Sequence, residues 1–323
     1  MIHARRIVLD WAERGRIAPR DLRRALAVAE VLPSRAAWRR FIDRLLLWMG
    51  TVLVCAGLLF FLAYNWDRFG RFAKFGLAEG LMALGLAFIW RYGIDSRGGK
   101  AALLALTVFL GALLALIGQT YQTGADDFEL FAAWAAMILP LALVGLSPVL
   151  WLFWLGLVNL TVALYFRTFP SLLGLAFTSE RVPWLLFFID TAALALWEAG
   201  AARGIEWLRP RWAPRLLAAA AGVSITALVL EEIIEPGSAG GWAAPVVWLA
   251  WIAGSWTAHR RLVKDLFAPA GVVLSVIVAA ATILLKHFSD SGAFGFLLVG
   301  LSVIALSAAG GRLLKNMAKE DKR

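Results

Sequence analysis

After a mostly polar first 44 residues the sequence carries ten apolar runs, centred on Cys55, Leu81, Phe109, Met137, Leu157, Thr191, Gly222, Leu249, Val276 and Ile304. Each is roughly 16 to 20 residues long, near the length that crosses a hydrocarbon core of about 30 Å. In lipid an unsatisfied peptide group costs several kcal/mol, so only backbone-saturated helices fit such runs. The expected fold class is therefore all-α, a polytopic transmembrane helical bundle of about ten spans. Composition agrees: 61% of residues are hydrophobic and 17% charged, against roughly 45–50% and 25% in soluble domains. Only Ser147 and Pro148 separate the fourth run from the fifth, which leaves open two helices or one kinked helix.

The formal charge of +10 would suggest nucleic acid if it lay on one soluble face, but the basic residues fall in the connections between runs. With the N-terminus inside, 26 of the 32 Lys and Arg residues lie in alternate, inner segments. That bias predicts an even number of spans with both termini cytoplasmic. Trp48, Trp66, Trp90, Trp134, Trp151, Trp184, Trp242 and Trp256 lie near run ends, where an amphipathic ring prefers the interface. Three segments follow: a basic cytoplasmic helical segment over 1–44, a transmembrane domain over 45–314 and a basic cytoplasmic tail over 315–323. The first run starts too late for a cleavable signal peptide and is expected to stay as a helix.

Within 1–44, Ile7, Trp11, Leu22, Leu26 and Ala29 recur at helical spacing, which predicts a short hairpin of two helices broken at Gly15. Ser34 is placed to N-cap a basic lead (Arg35, Trp38, Arg39, Arg40) into the first span. Eleven Arg against five acidic residues make this segment a membrane-surface contact for anionic lipids. It has no recognition helix with base-reading side chains, so nucleic acid is not expected as a partner.

The most polar lip lies between the third and fourth runs, Gly118 to Trp134, and it holds no Lys or Arg. Gly124 is placed for a left-handed cap, and Asp126 with Glu129 for a capping box. Gln119 and Gln122, at helical spacing, are expected on one face of the third span. With Tyr121 they could hydrogen-bond a neutral or zwitterionic solute or pin the helix to its neighbours. Glu79 lies within the second run beside Gly76 and Gly80, a GxxxG spacing that predicts a close helix contact burying the carboxyl. Asp190 lies equally deep in the sixth run, and both carboxyls read as ion or proton sites or as interhelical donors. Asn159, mid-run in the fifth, reads as interhelical glue. Asn65 and Asp67 end the first helix and open the second, as caps or as an outer rim. In the expected topology all of these except Asn159, together with Lys286 and His287, fall in the outer half, suggesting an outward-facing polar vestibule.

Only three His residues occur (His3, His259, His287), without metal-ligand spacing, and Cys55 is the lone cysteine. There is no Gly-x-Ser-x-Gly elbow and no phosphate-cradling glycine loop. Neither an enzyme, a metal site nor a cofactor is expected.

WAERGRI in the N-terminal segment, FFLAYNWDRFGRFAKF after the first span and IGQTYQTGADDFELFAAWA running into LPLAL together resemble the DUF2157 family of predicted bacterial membrane proteins. The likeness covers roughly the first half of the chain. It implies an integral protein of the bacterial inner membrane and, the family having no established activity, no catalytic residue. Two functions fit: a permease-like protein for a small solute or proton, or a non-transporting scaffold, sensor or envelope-support module.

Overall fold

The computed structural model describes residues 2–29, 34–64, 68–169, 182–238, 241–261, 265–288 and 292–320. Among them every regular element is helical, and contacts divide the chain into two compact units, Met1–Leu116 and Ile117–Asp321. Nine of the helices are long and apolar enough to cross a membrane. A further helix has a shorter apolar stretch, Ala243–Ala258. The count is compatible with about ten spans.

In the first unit, α1 (Ile2–Glu13) and α2 (Leu22–Val28) form the short hairpin. It is turned by left-handed Gly15 (φ 71°), with the Arg16 amide bonded back to the Trp11 carbonyl at 2.8 Å, the six-to-one closure of a Schellman motif. Ser34 does N-cap α3 (Arg35–Tyr64), its Oγ accepting from the Ala37 amide at 3.1 Å. The basic lead and the first span are one unbroken helix of 30 residues. It is followed by α4 (Arg71–Tyr92) and α5 (Arg97–Tyr121). Ser96 closes the turn between them, donating to the Gly93 carbonyl and accepting from the Gly99 amide, both at 2.9 Å. α4 leans on α5 where Leu106 fills the space beside Gly85 and the Phe88 ring covers Gly98. Elsewhere α3 and α4 expose broad apolar faces, including Val54, Phe60, Phe72 and Trp90, as helices facing lipid tails do.

The second unit is an up-and-down succession: α6 (Asp127–Gly145), α7 (Pro148–Thr168), α8 (Val182–Ala202), α9 (Trp212–Ile234), α10 (Ala243–Arg261), α11 (Phe267–His287) and α12 (Gly292–Glu320). The fourth and fifth runs are two helices. Leu146 turns left-handed (φ 41°), Ser147 follows extended, and Pro148 opens α7 at its first turn, where its missing N–H costs nothing. The Trp154 indole bonds back across this hairpin to the Ala135 carbonyl at 3.0 Å. That acceptor is next to Ala136, whose carbonyl loses its usual donor to Pro140.

α9 is the centre of the unit and packs against α8, α10 and α11. Its Ala213, Ala221, Ile225 and Leu228 are fully buried, spaced to keep one stripe covered along the whole helix. Polar side chains tie its C-terminal half to its neighbours. Thr226 and Ser275 share a hydrogen bond of 2.7 Å, and the Trp248 indole donates to Ser275 at 2.8 Å, joining α9, α10 and α11. Lys286 on α11 donates to the Ile233 and Ile234 carbonyls at 2.6 and 3.1 Å, a cation on the negative end of α9.

Candidate functional site

The expected vestibule residues divide between the two units, Glu79 in the first and Gln119, Tyr121, Gln122, Asp126 and Asp190 in the second. Glu79 is exposed on α4, and within its unit nothing approaches the Cβ positions of Gly76 and Gly80. Among the described residues of this unit no helix makes the close contact expected there, and within the unit the GxxxG spacing does not bury the carboxyl. Glu79 has no hydrogen bond or ion pair among the described residues. Gln119 is the antepenultimate residue of α5 and is exposed, as are Tyr121, Gln122 and Asp126. Gln122 does not share its face: α5 closes with the Thr123 amide on the Gly118 carbonyl at 3.3 Å, which throws Gln122 into the left-handed region (φ 45°) ahead of Gly124 (φ 67°). The expected left-handed glycine cap is thus supplied two residues early, by a glutamine. Asp126 and Glu129 do form the capping box, the Asp126 amide donating to Glu129 Oε2 at 3.1 Å. Asn65 and Asp67 lie outside the described residues.

Asp190 is different. It sits in the middle of α8, 3% exposed, and accepts from Asn159 Nδ2 of α7 at 2.8 Å. The Asn159 Oδ1 is buried and has no donor among the described residues. An isolated charge on Asp190 at this depth would be expensive. Asn159 is the interhelical tie its position predicted, and its partner is the only buried acid among the described residues.

A site not expected from the sequence lies beside this pair. α8 and α10 both rest on α9 and leave between them a trough of about 880 Å³. Phe187, Thr191, Leu194 and Glu198 recur along one face of α8 as its first wall. Val247, Trp251 and Gly254 of α10 form the second, over a floor at Ala218 of α9. Small residues such as Ala195, Ala199, Ala250 and Ala258 make the room. From Ala202 to Phe187 the trough follows α8 for about 22 Å at 1.5 Å per residue.

Its end by the α8–α9 and α10–α11 connections is charged. Arg215 holds Asp265 with two bonds, Nε to Oδ2 at 2.8 Å and Nη2 to Oδ1 at 3.1 Å, and the Phe267 amide adds a third at 3.1 Å. Arg211 donates through Nη1 to Glu198 Oε2 at 2.9 Å, while its Nε stands 3.7 Å from Asp265. Burial pushes the Asp265 carboxyl up, but the Arg215 bonds, the Phe267 amide and the charges of Arg215 and Arg211 outweigh it and hold it below its ordinary value. The backbone that presents Arg211 is fixed by packing: the buried Trp197 indole donates to the Leu208 carbonyl at 2.9 Å, and the Leu208 side chain sits on Gly200. Two buried donors, Arg211 Nε and Thr191 Oγ1, have no hydrogen-bond partner among the described residues. On sequence alone Glu198 carried no role and Arg211 and Arg215 served only as topology markers. The legible signal was two Arg four residues apart at the start of a span, with an acid at the matching end of the span before.

A bundle of apolar helices tied by buried polar pairs defines a multi-pass helical membrane protein. Residues 9–151 match the family model DUF2157, described as a predicted membrane protein. The match takes in the WAERGRI and IGQTYQTGADDFELFAAWA stretches and ends at Trp151, ahead of the trough. No curated protein and no solved structure matches the chain.

Proposed function

We propose that this chain is a permease-like protein of the bacterial inner membrane that takes a largely apolar small molecule into the trough between α8 and α10. The observation that carries the reading is the trough itself: helical-bundle ligand sites are concave, mostly apolar, some 300–1,000 Å³ in volume and furnished with a few placed polar groups, and this one is about 880 Å³ with two Arg and two acids at one end. Its described lining holds no His, Cys, Lys or Tyr, which favours binding over catalysis. The bias of basic residues supports placing the charged end on the cytoplasmic side. It also supports the N-terminal helical segment as a contact for anionic lipid headgroups rather than for nucleic acid. The polar group around Glu79, Gln119, Tyr121, Gln122 and Asp190 supports an outward vestibule less well, because its one buried member is already paired.

The test is reconstitution of the full chain into liposomes carrying a fluorescent single-chain amphiphile, with transbilayer movement followed by an impermeant quencher. The wild type should speed the movement, and Ala218→Phe, which fills the floor, should return it to the protein-free rate. Equal rates with and without protein would contradict a permease and leave the non-transporting module.

A further inference from the structure

Resting on the reading of the trough as a ligand site, we infer that its ligand is a long-chain amphiphile with an oxyanion head, a carboxylate or phosphate, and that Arg211 binds that head. The two arginines at the charged end are not equivalent. Arg215 is consumed: its fork is matched by both oxygens of Asp265, which is only 13% exposed and further fixed by the Phe267 amide. Arg211 spends one donor on Glu198, and its buried Nε–H, 3.7 Å from Asp265 Oδ2, makes no hydrogen bond among the described residues. A guanidinium offers five donors in a planar fork that fits carboxylate or phosphate oxygens two at a time. A buried donor left unmade is costly, so an acceptor arriving at the end of the trough gains what Arg211 lacks now.

The tail follows from the rest of the cavity. From the charged end the walls are Leu194, Val247, Trp251 and Phe187 with alanines between them, over about 22 Å of helix. A short, fully hydrated anion has nothing to gain from such a surface, whereas a hydrocarbon chain gains with every methylene it withdraws from water. Thr191, in the deep part of the wall, leaves one more unmet hydroxyl for a polar atom along the chain. Glu198 then acts as the competitor, holding Arg211 at Nη1 until the ligand head displaces it or shares the fork.

The full-length protein in lipid nanodiscs would be labelled with palmitic acid carrying a mid-chain diazirine. The crosslinks would be mapped by peptide and competed with hexadecyl phosphate, hexadecanol or inorganic phosphate. Crosslinks should fall on α8 and α10, and hexadecyl phosphate should compete at concentrations about tenfold or more below hexadecanol, the factor expected for a charge-assisted hydrogen bond. Inorganic phosphate should not compete. Arg211→Gln should lose that preference, and Arg211→Lys, which keeps a cation for Glu198 but not the fork, should lose most of it. Glu198→Gln should strengthen binding, since it releases Arg211; a salt bridge serving only to brace the helices would leave binding unchanged or weaker. Labelling of the trough with hexadecanol competing as well as hexadecyl phosphate, or competition by inorganic phosphate alone, overturns this inference while leaving the trough as a site. No crosslink on α8 or α10 overturns both.

Discussion

At the scale of residues, two positions show how the chain treats polar groups it cannot leave in lipid. Asn159 donates to Asp190 across α7 and α8. Asp190→Asn keeps a hydrogen-bonding side chain of the same shape and should change stability by less than about 1 kcal/mol, since interhelical hydrogen bonds in membranes average less than that. Asp190→Ala strands the whole Asn159 amide and should cost about 1–3 kcal/mol. Thermal unfolding of both variants in detergent separates the cases. Gln122 is the second case. A left-handed L-residue costs about 1–2 kcal/mol relative to its ordinary conformation, and glycine removes that cost while adding about 0.5–1 kcal/mol of backbone entropy. Gln122→Gly should therefore leave the protein unchanged or up to about 1.5 kcal/mol more stable. A loss of amphiphile binding in that variant would return Gln122 to the list of ligand residues.

At the scale of elements, the ends of α8, α9 and α11 are joined by ions as well as by apolar packing, which makes that joint sensitive to acid. The Asp265 carboxyl is held below its ordinary value by Arg215, the Phe267 amide and Arg211 against the opposing effect of burial. A carboxylate depressed in the folded state adds stability that is fully present above about pH 4, its unfolded value, and that drains away as the pH falls through the lower folded value. The melting temperature of the full chain should therefore fall on acidification below about pH 4. Asp265→Asn should melt lower at neutral pH and should lose this part of the acid fall. Identical acid profiles for the two proteins would show that the pair does not hold α9 to α11. The elements themselves were legible because their causes are local. Gly15 stops α1, Ser34 caps α3, Asp126 with Glu129 opens α6, and Ser147 with Pro148 divides α6 from α7, each through groups a few residues apart. Where the reading of an element went astray, the local signal had an equally local competitor: closure of α5 at Gly118 preceded the glycine that could have ended it.

At the scale of the molecule, the apolar runs determine class and nearly determine the count of spans, because lipid permits only helices there. The GxxxG around Glu79 could not be read so safely. Small residues permit a close approach but do not supply the helix that makes it, and none comes to Gly76 or Gly80 within that unit. The apolar length of the trough was illegible for a related reason: it is the space left when α8 and α10 both dock on α9, and only its charged end, at Glu198, Arg211 and Arg215, left a local mark. Orientation is the global property that the sequence does address. Both termini should be cytoplasmic, so in a Cys55→Ser background an impermeant thiol reagent applied outside should modify Ala125→Cys and miss Ala318→Cys; the reverse pattern would turn the charged end of the trough outward. The central claim is that the binding site is the trough and not the polar lip after α5. Electron cryomicroscopy of the full chain in lipid nanodiscs tests it directly. The account predicts elongated non-protein density between α8 and α10, running from Arg211 toward Phe187. A trough filled by the protein's own side chains, with density instead beside Gln119 and Tyr121, would contradict it.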